Sequence, residues 1–354
     1  MKKITSLCSL LMLCIIFSCK NNKVSPTENV LKTVSLTTQS NFATTSFANG
    51  SDVSWLTQME ASGLKFFNSA GTQQDLFTIL KGFGINSIRL RAWVNPSAGW
   101  CNTADVVAKA KRAAAAGMSI MIDFHYSDTW ADPGQQAKPA AWAGESTSAL
   151  YTSEYNYTIS TLNSLKSAGI TPVWVQVGNE TNDGMMWQDG RISAGSVNAL
   201  HFTYMVNTGY NAVKSVFPNA KVIVHIANGY DNGLFRYIFD ILKANNASYD
   251  VIGMSLYPTT SNWSTLNSQC LNNMNDMVSR YGKQVMICEV GMSESAATTC
   301  KSFLSDLITK VKSVSGGNGL GVFYWEPEAY NNWQGYGLGA FDPSGKPTVA
   351  MTAF

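Results

Sequence analysis

The sequence predicts an α/β protein, a (β/α)8 TIM barrel built as a single domain. Three observations point there. Short apolar, β-rich runs alternate with amphipathic stretches along the chain, the pattern of strands joined by crossover helices into a parallel sheet. Several of those runs are continuously apolar, as strands covered on both faces should be. Polar and aromatic residues also gather at the C-terminal ends of the runs, where a barrel carries its chemistry and where core packing alone would not put them.

In chain order, a weaker first strand is expected over Gly50–Trp55. Stronger ones follow at Ile85–Trp93, Met118–Tyr126, Val173–Glu180, Lys221–Ala227, Val251–Tyr257, Gln284–Val290 and Leu320–Trp325. Between them lie helix patterns such as Ala104–Ala116, stopped by Gly117, and Ser148–Ala168, stopped by Gly169, with the glycine that commonly ends a helix. Eight such units in about 300 residues fit a closed barrel. An open doubly wound sheet would usually carry a glycine-rich phosphate loop after its first strand, and neither G-x-G-x-x-G nor G-x-x-x-x-G-K-[ST] occurs. The longest connections, Tyr126–Ser148 and Glu180–Ser196, both follow strand C-termini, where a barrel keeps its working loops.

Hydrophobic residues make up 45% of the 354, while charged residues are only 14%, low against a typical share of about 25%. That supports a sizeable core, and the net charge of +2 offers no field suited to nucleic acid. A neutral polar partner suits this balance, and a monomer is expected. At the start, Met1-Lys2-Lys3 and the apolar stretch Leu10 to Phe17 form a charged segment plus a hydrophobic one too short to span a bilayer. Residues 1–19 read as a lipoprotein-type signal peptide with Cys19 as the lipidated residue, an ordinary secretion signal being the alternative. Residues 20–47, rich in Asn, Thr, Ser and Lys, read as a flexible tether, and 48–354 as the catalytic domain. The expected location is that of an exported bacterial lipoprotein, at the cell surface or in the periplasm. Cys101, Cys270, Cys288 and Cys300 remain outside the leader; export permits disulfides, and three full pairings are open. No C-x-x-C pair and only three histidines argue against structural zinc.

Strand alternation puts Arg89 and Arg91 on one side of their strand and Ile88 and Leu90 on the other, so the arginines point inward if the apolar pair meets the helices. Inward arginines need carboxylates, either as an ion pair that closes the barrel or as a means of keeping an acid ionised. Glu180 and Glu289 each end a strand. A lone glutamate there is usually a surface cap, but two at one barrel mouth are the machinery of glycosidic bond cleavage, with retaining enzymes holding the pair about 5–5.5 Å apart. Asn179 is placed to reach a sugar 2-hydroxyl, or else is a turn residue. Asp123 and His125 share a face, which favours a hydrogen-bonded pair inside the barrel over a metal site with Asp128, since His201 and His225 lie in other segments. Trp93, Trp130, Trp142, Trp187, Trp325 and Trp333 sit in or near C-terminal loops, as platforms for sugar rings or as core. A surface that stacks nucleic acid would also need a basic groove.

The run His125-Tyr-Ser-Asp128-Thr-Trp130-Ala-Asp132-Pro133-Gly134-Gln, continuing through Lys138-Pro139 to Trp142, resembles the signature of the endo-β-1,4-galactanases, glycoside hydrolase family 53 of clan A. Similar support comes from Arg89-Leu-Arg91-Ala-Trp93-Val-Asn95-Pro96, Gln176-Val-Gly178-Asn179-Glu180, Gly321-Val-Phe-Tyr324-Trp325-Glu326-Pro327 and the opening Gly50-Ser-Asp52-Val-Ser-Trp55. The resemblance implies a barrel that cleaves internal β-1,4-galactosyl linkages of galactan and type I arabinogalactan with retention, Glu180 as general acid/base and Glu289 as nucleophile. It also implies roles for Arg89, His125, Asn179, Tyr257 and Trp325 around the nucleophile and the −1 sugar, with Trp130 and Trp142 as further cleft candidates. No cofactor is expected. Many bacterial relatives carry a long seventh loop that binds calcium, but here Glu289 is followed by Val-Gly-Met-Ser-Glu and then helix-like sequence, so calcium is doubtful. The segment Ala227-Asn228-Gly229-Tyr230-Asp231 departs from the usual acidic pair, and Glu328 stands where relatives often carry an apolar or aromatic residue. The alternatives are another clan A activity, on β-mannan or β-glucan, and a glycan-binding lipoprotein without catalysis.

Overall fold

The computed structural model describes residues 47–354; the expected signal peptide, and the tether up to residue 46, lie outside the described residues. Eight parallel strands close into a barrel: β1 Ala48–Asp52, β2 Ser87–Ala92, β3 Ser119–Phe124, β4 Trp174–Val177, β5 Lys221–Ile226, β6 Val251–Leu256, β7 Gln284–Val290 and β8 Gly319–Trp325. Each pairs with its neighbours in sequence, and β8 returns to β1 in parallel register. The connections carry helices α1 Leu56–Ala61, α2 Leu76–Gly82, α3 Thr103–Ala115, α4 Thr147–Ser167, α5 Ser196–Val216, α6 Asn232–Ala244, α7 Trp263–Tyr281 and α8 Ala297–Lys312. Among the described residues no helix is long and apolar enough to cross a membrane.

The helix boundaries follow local chemistry. Asn102 and Asp231 accept from the backbone N–H three residues on, at 2.9 and 3.0 Å, satisfying donors that α3 and α6 would otherwise leave open. Gly117 and Gly169 take φ of +77° just past α3 and α4, the left-handed step that costs a glycine nothing.

Alternation along the strands divides the interior into two apolar bodies. Outward positions such as Ile88, Leu90, Ile122, Val175 and Ile287 pack against the helices. Inward positions Met121, Trp174, Ile223, Val251, Met286, Cys288 and Phe323 fill the barrel itself. Gly50 makes room for that plug: a Cβ there would lie 2.2 Å from the Phe323 ring. Above the apolar layers the inward residues turn polar, with Asp52, Arg89, Arg91, Asp123, Gln176 and His225 all buried. As alternation predicted, both arginines face inward.

Four features differ from the sequence expectation. The weak first strand is a full barrel member beginning at Ala48. Strand β4 stops at Val177 rather than Glu180, because Gly178 (φ +83°) and Glu180 (φ +44°) turn the chain out of the sheet. A small antiparallel hairpin, Gly184–Met185 against Gly190–Arg191, is built into the following loop. Cys101, Cys270, Cys288 and Cys300 are all buried free thiols, so none of the three possible pairings is realised.

Candidate active site

The centre of the barrel mouth is the guanidinium of Arg89, 1% exposed. Its Nη1 meets Asp52 Oδ2 at 2.7 Å, while Nη2 lies 2.9 Å from both Asp123 Oδ2 and Glu289 Oε1. It also donates to Asn179 Oδ1 at 2.8 Å and to Gln176 Oε1 at 3.2 Å. Because arginine only donates, these contacts fix both amides with their oxygens toward Arg89. Gln176 Nε2 then donates to Asp123 Oδ1 at 2.6 Å and reaches His225 Nδ1 at 3.0 Å.

Glu289 reaches this position through an irregularity in the sheet. Met254 pairs with Ile287 but Ser255 with Glu289, so β7 has one residue more than β6 at this point. The extra residue lets Glu289 turn inward directly after inward-facing Cys288, which simple alternation forbids. Glu289 Oε2 accepts from the Tyr257 hydroxyl at 2.8 Å. Glu180 arrives from the left-handed turn after β4, where Thr181 N–H donates to His225 O at 2.9 Å and ties the loop to β5.

Both glutamates line one pocket of about 300 Å³, together with His125, Trp130, Ala131, Asp132, Asn179, Tyr257, Trp325, Tyr336 and Leu338. A second cleft of about 470 Å³ shares Trp130, Trp325 and Tyr336 with it and extends over Trp55, Trp93, Trp100 and Asp128. The result is an aromatic trough leading into a carboxyl-lined pocket.

Burial pushes the Glu180 carboxyl up to about 6; a hydrogen bond from Ser255 and the charge of Arg89 oppose the rise, and Asp132 and Asp123 add to it. Burial raises Glu289 further, to about 8, opposed by the charge of Arg89 and helped by that of Glu180. Two neighbouring acids of this kind titrate as a pair. Burial weighs more heavily on Glu289, but its direct contacts favour the anion there: it has the Arg89 ion pair and the Tyr257 donor, whereas Glu180 has no salt bridge among the described residues. His125 is neutral, its pKa lowered by burial against the opposing pull of Asp123. Its Nδ1 accepts from Trp93 Nε1 and Ala131 N, both at 3.2 Å, so the proton sits on Nε2 and points to Asp123 at 3.0 Å.

The predicted site residues sort into three groups. Glu180, Glu289, Asn179, His125, Tyr257, Trp130 and Trp325 face the pocket. Arg89 and Asp123 lie beneath its floor, fully buried, Arg89 holding Glu289 and Asp123 holding Arg89 and His125 rather than offering a surface to a sugar. Asp128 borders the outer cleft and binds its loops together, accepting from Asn95 N and Ala140 N at 2.8 Å each. This leaves no Asp123–His125–Asp128 metal cluster, and among the described residues no group of three or more His, Cys, Asp or Glu is arranged to hold one. Trp142 is corrected to core: it is 7% exposed and packs on Tyr157 at 6.2 Å. Trp187 and Trp333 line neither cavity, Trp187 being stacked under Arg191. Sequence reasoning assigned no site role to Gln176, His225, Ser255 or Asp132. The first two carried a signal, being polar residues inside apolar strands; Tyr336 and Leu338, from the irregular loop after β8, carried none.

Comparison with known proteins agrees with this geometry. The profile of "Glycosyl hydrolase family 53" matches residues 48–302 and 292–354. An arabinogalactan endo-β-1,4-galactanase of Thermothelomyces thermophilus is 34% identical, covering 80% of this chain and 90% of its own length. An endo-β-1,4-galactanase of Bacillus subtilis (strain 168) is 34% identical, with coverage of 79% and 70%. Among solved structures, a fungal β-1,4-galactanase superposes with a TM-score of 0.78 at 30% identity, covering 86% of this chain and 97% of its own.

Replacing Arg89 with Met should destabilise the protein by about 3–5 kcal/mol, because Asp52, Asp123 and Glu289 would stay buried without their cation. Denaturant unfolding measures this, and a loss below about 1 kcal/mol would remove Arg89 from the centre of the network.

Proposed function

The chain belongs to glycosyl hydrolase family 53, and on that premise we propose that Glu289 is the nucleophile and Glu180 the general acid/base of its reaction. The protein is an endo-β-1,4-galactanase of this retaining family. Its substrate is a neutral polysaccharide, galactan or type I arabinogalactan, cut at internal β-1,4-galactosyl linkages. The observation that carries the assignment of roles is the asymmetry of the two acids around Arg89.

In the first step Glu289 attacks the anomeric carbon as Glu180 gives its proton to the departing glycosidic oxygen. Arg89 and Tyr257 keep Glu289 ionised and aimed. Loss of the carboxylate charge on forming the ester relieves the repulsion that raises Glu180, so Glu180 then serves as base toward the incoming water. Asn179, fixed by Arg89 and by its own donation to Ala131 O at 2.7 Å, supports the sugar hydroxyls beside the cleaved bond. Trp130, Trp325 and Tyr336 offer apolar faces for sugar rings. An open trough running into the pocket suits attack within a chain rather than at its end.

The residues before the barrel extend this reading. We propose export with lipid on Cys19, a placement that rests on the charged and apolar leader and gives the enzyme access to polymer outside the cytoplasm. Cys19→Ser should shift the protein from the detergent-soluble membrane fraction to the aqueous one; an unchanged distribution counts against the anchor.

Glu180→Ala and Glu289→Ala should each lower kcat on linear galactan by at least about a thousandfold without loss of fold. Added azide should restore turnover with opposite product stereochemistry: β-galactosyl azide from the Glu180 variant and α from the Glu289 variant. The same anomer from both would refute the roles. Because the active pair carries one proton, held on Glu180, kcat/KM should rise as pH passes about 6 and then fall as it passes about 8. Asp132→Asn removes a charge that raises Glu180, so the limb near 6 should move to lower pH; a shift upward, or none, would contradict the electrostatic account.

A further inference from the structure

Arg91, on the same strand as the catalytic-site Arg89, is absorbed by none of the chemistry above. It is 1% exposed, and its Nη1 forms an ion pair with Glu326 Oε1 at 3.1 Å, the one it makes among the described residues. Its Nε and Nη2 are buried and have no hydrogen-bond partner among the described residues. A buried guanidinium with two unpaired nitrogens is costly unless something else meets its charge. Besides Glu326 and the nearby buried Cys101 thiol, three indoles do: the guanidinium carbon lies 4.2 Å from the Trp130 ring centroid, 4.9 Å from that of Trp93 and 5.7 Å from that of Trp55.

Those rings are also packed on one another. Trp130 meets Trp93 at 5.2 Å, Trp55 at 5.7 Å and Trp325 at 5.8 Å. All four line the outer cleft. The base of the cage is equally fixed. Arg91 N–H donates to Ser54 Oγ at 2.7 Å, Ser54 Oγ donates to Asp52, and Glu326 Oε2 accepts from Trp55 N at 3.0 Å. Glu328 is buried beside Glu326, and burial with the Glu326 charge pushes its carboxyl well up; burial raises Glu326 as well, with Arg91 opposing that rise.

We propose that Arg91 is a positioning residue: seated on Glu326 and enclosed by Trp55, Trp93 and Trp130, it holds the aromatic wall of the outer cleft in the shape that grips sugars beyond the cleaved linkage. The inference rests on galactan being the polymer in the cleft. It separates two arginines two residues apart, Arg89 serving the reacting carboxylate and Arg91 serving the wall that binds the chain. Arg91 touches neither glutamate of the catalytic pair, so its loss should appear in binding before it appears in chemistry.

Arg91→Lys keeps the charge but not the plane that faces the rings. Arg91→Met with Glu326→Gln removes both partners together and avoids leaving one buried charge alone. Both folded variants should show KM for linear galactan raised about tenfold with kcat changed less than about threefold. In a Glu180→Gln background, the dissociation constant for β-1,4-galactotetraose, followed by tryptophan fluorescence, should rise by a similar factor. Unchanged KM and unchanged tetraose binding in a folded variant would overturn the proposal, as would a loss confined to kcat. If the unaltered protein neither cleaved galactan nor bound the tetraose, the reading of the substrate would fall first; normal turnover with insensitive Arg91 variants would fell the inference alone.

Discussion

One buried cation organises the mouth of this barrel. Arg89 faces carboxylates from β1, β3 and β7 and amides at the end of β4, so a single side chain links four strands besides its own. Its charge cannot be left unpaired in so dry a place, nor can the three acids be left without it. Glu289 is therefore held by the same cation that links the strands of the barrel mouth. The structural and catalytic readings of an inward arginine are two aspects of one network.

The acids themselves are delivered by departures from regular structure. Glu289 faces the pocket because β7 carries one residue too many against β6, and Glu180 does so because the chain leaves β4 through two positive φ values. Irregular backbone of this kind costs energy and is retained where a side chain has to be aimed. Around both glutamates the polar partners are themselves oriented: Arg89 fixes the amide of Gln176, Gln176 meets His225, and His225 lies 2.8 Å from Ser255, which faces Glu180. The site is rigid because each donor has its direction set by the next.

How far the sequence could be read depended on the kind of regularity involved. Apolar runs located every strand to within a few residues, and glycines after α3 and α4 marked where those helices end. Alternation correctly turned Arg89 and Arg91 inward, since β2 is regular from Ser87 to Ala92. The same rule fails at Glu289, where a bulge intervenes, and at Glu180, which lies beyond the last paired residue of β4. Tryptophans were found in the right loops but could not be sorted: Trp130 and Trp325 line the pocket, while Trp142 went to the core against Tyr157. Packing of that kind is decided by neighbours far away in the chain.

The sequence by itself determined the barrel, the strand ends that carry chemistry and the family, because periodicity and short motifs are local properties of the chain. Only the tertiary structure decided which acid pairs with Arg89, since that depends on distance, and distance is set by closure of the barrel. It likewise decided that the four cysteines stay apart as thiols and that Arg91 meets indoles instead of a second carboxylate. Burial and approach are created by folding, and they gather strand-end residues from across the chain around one buried cation.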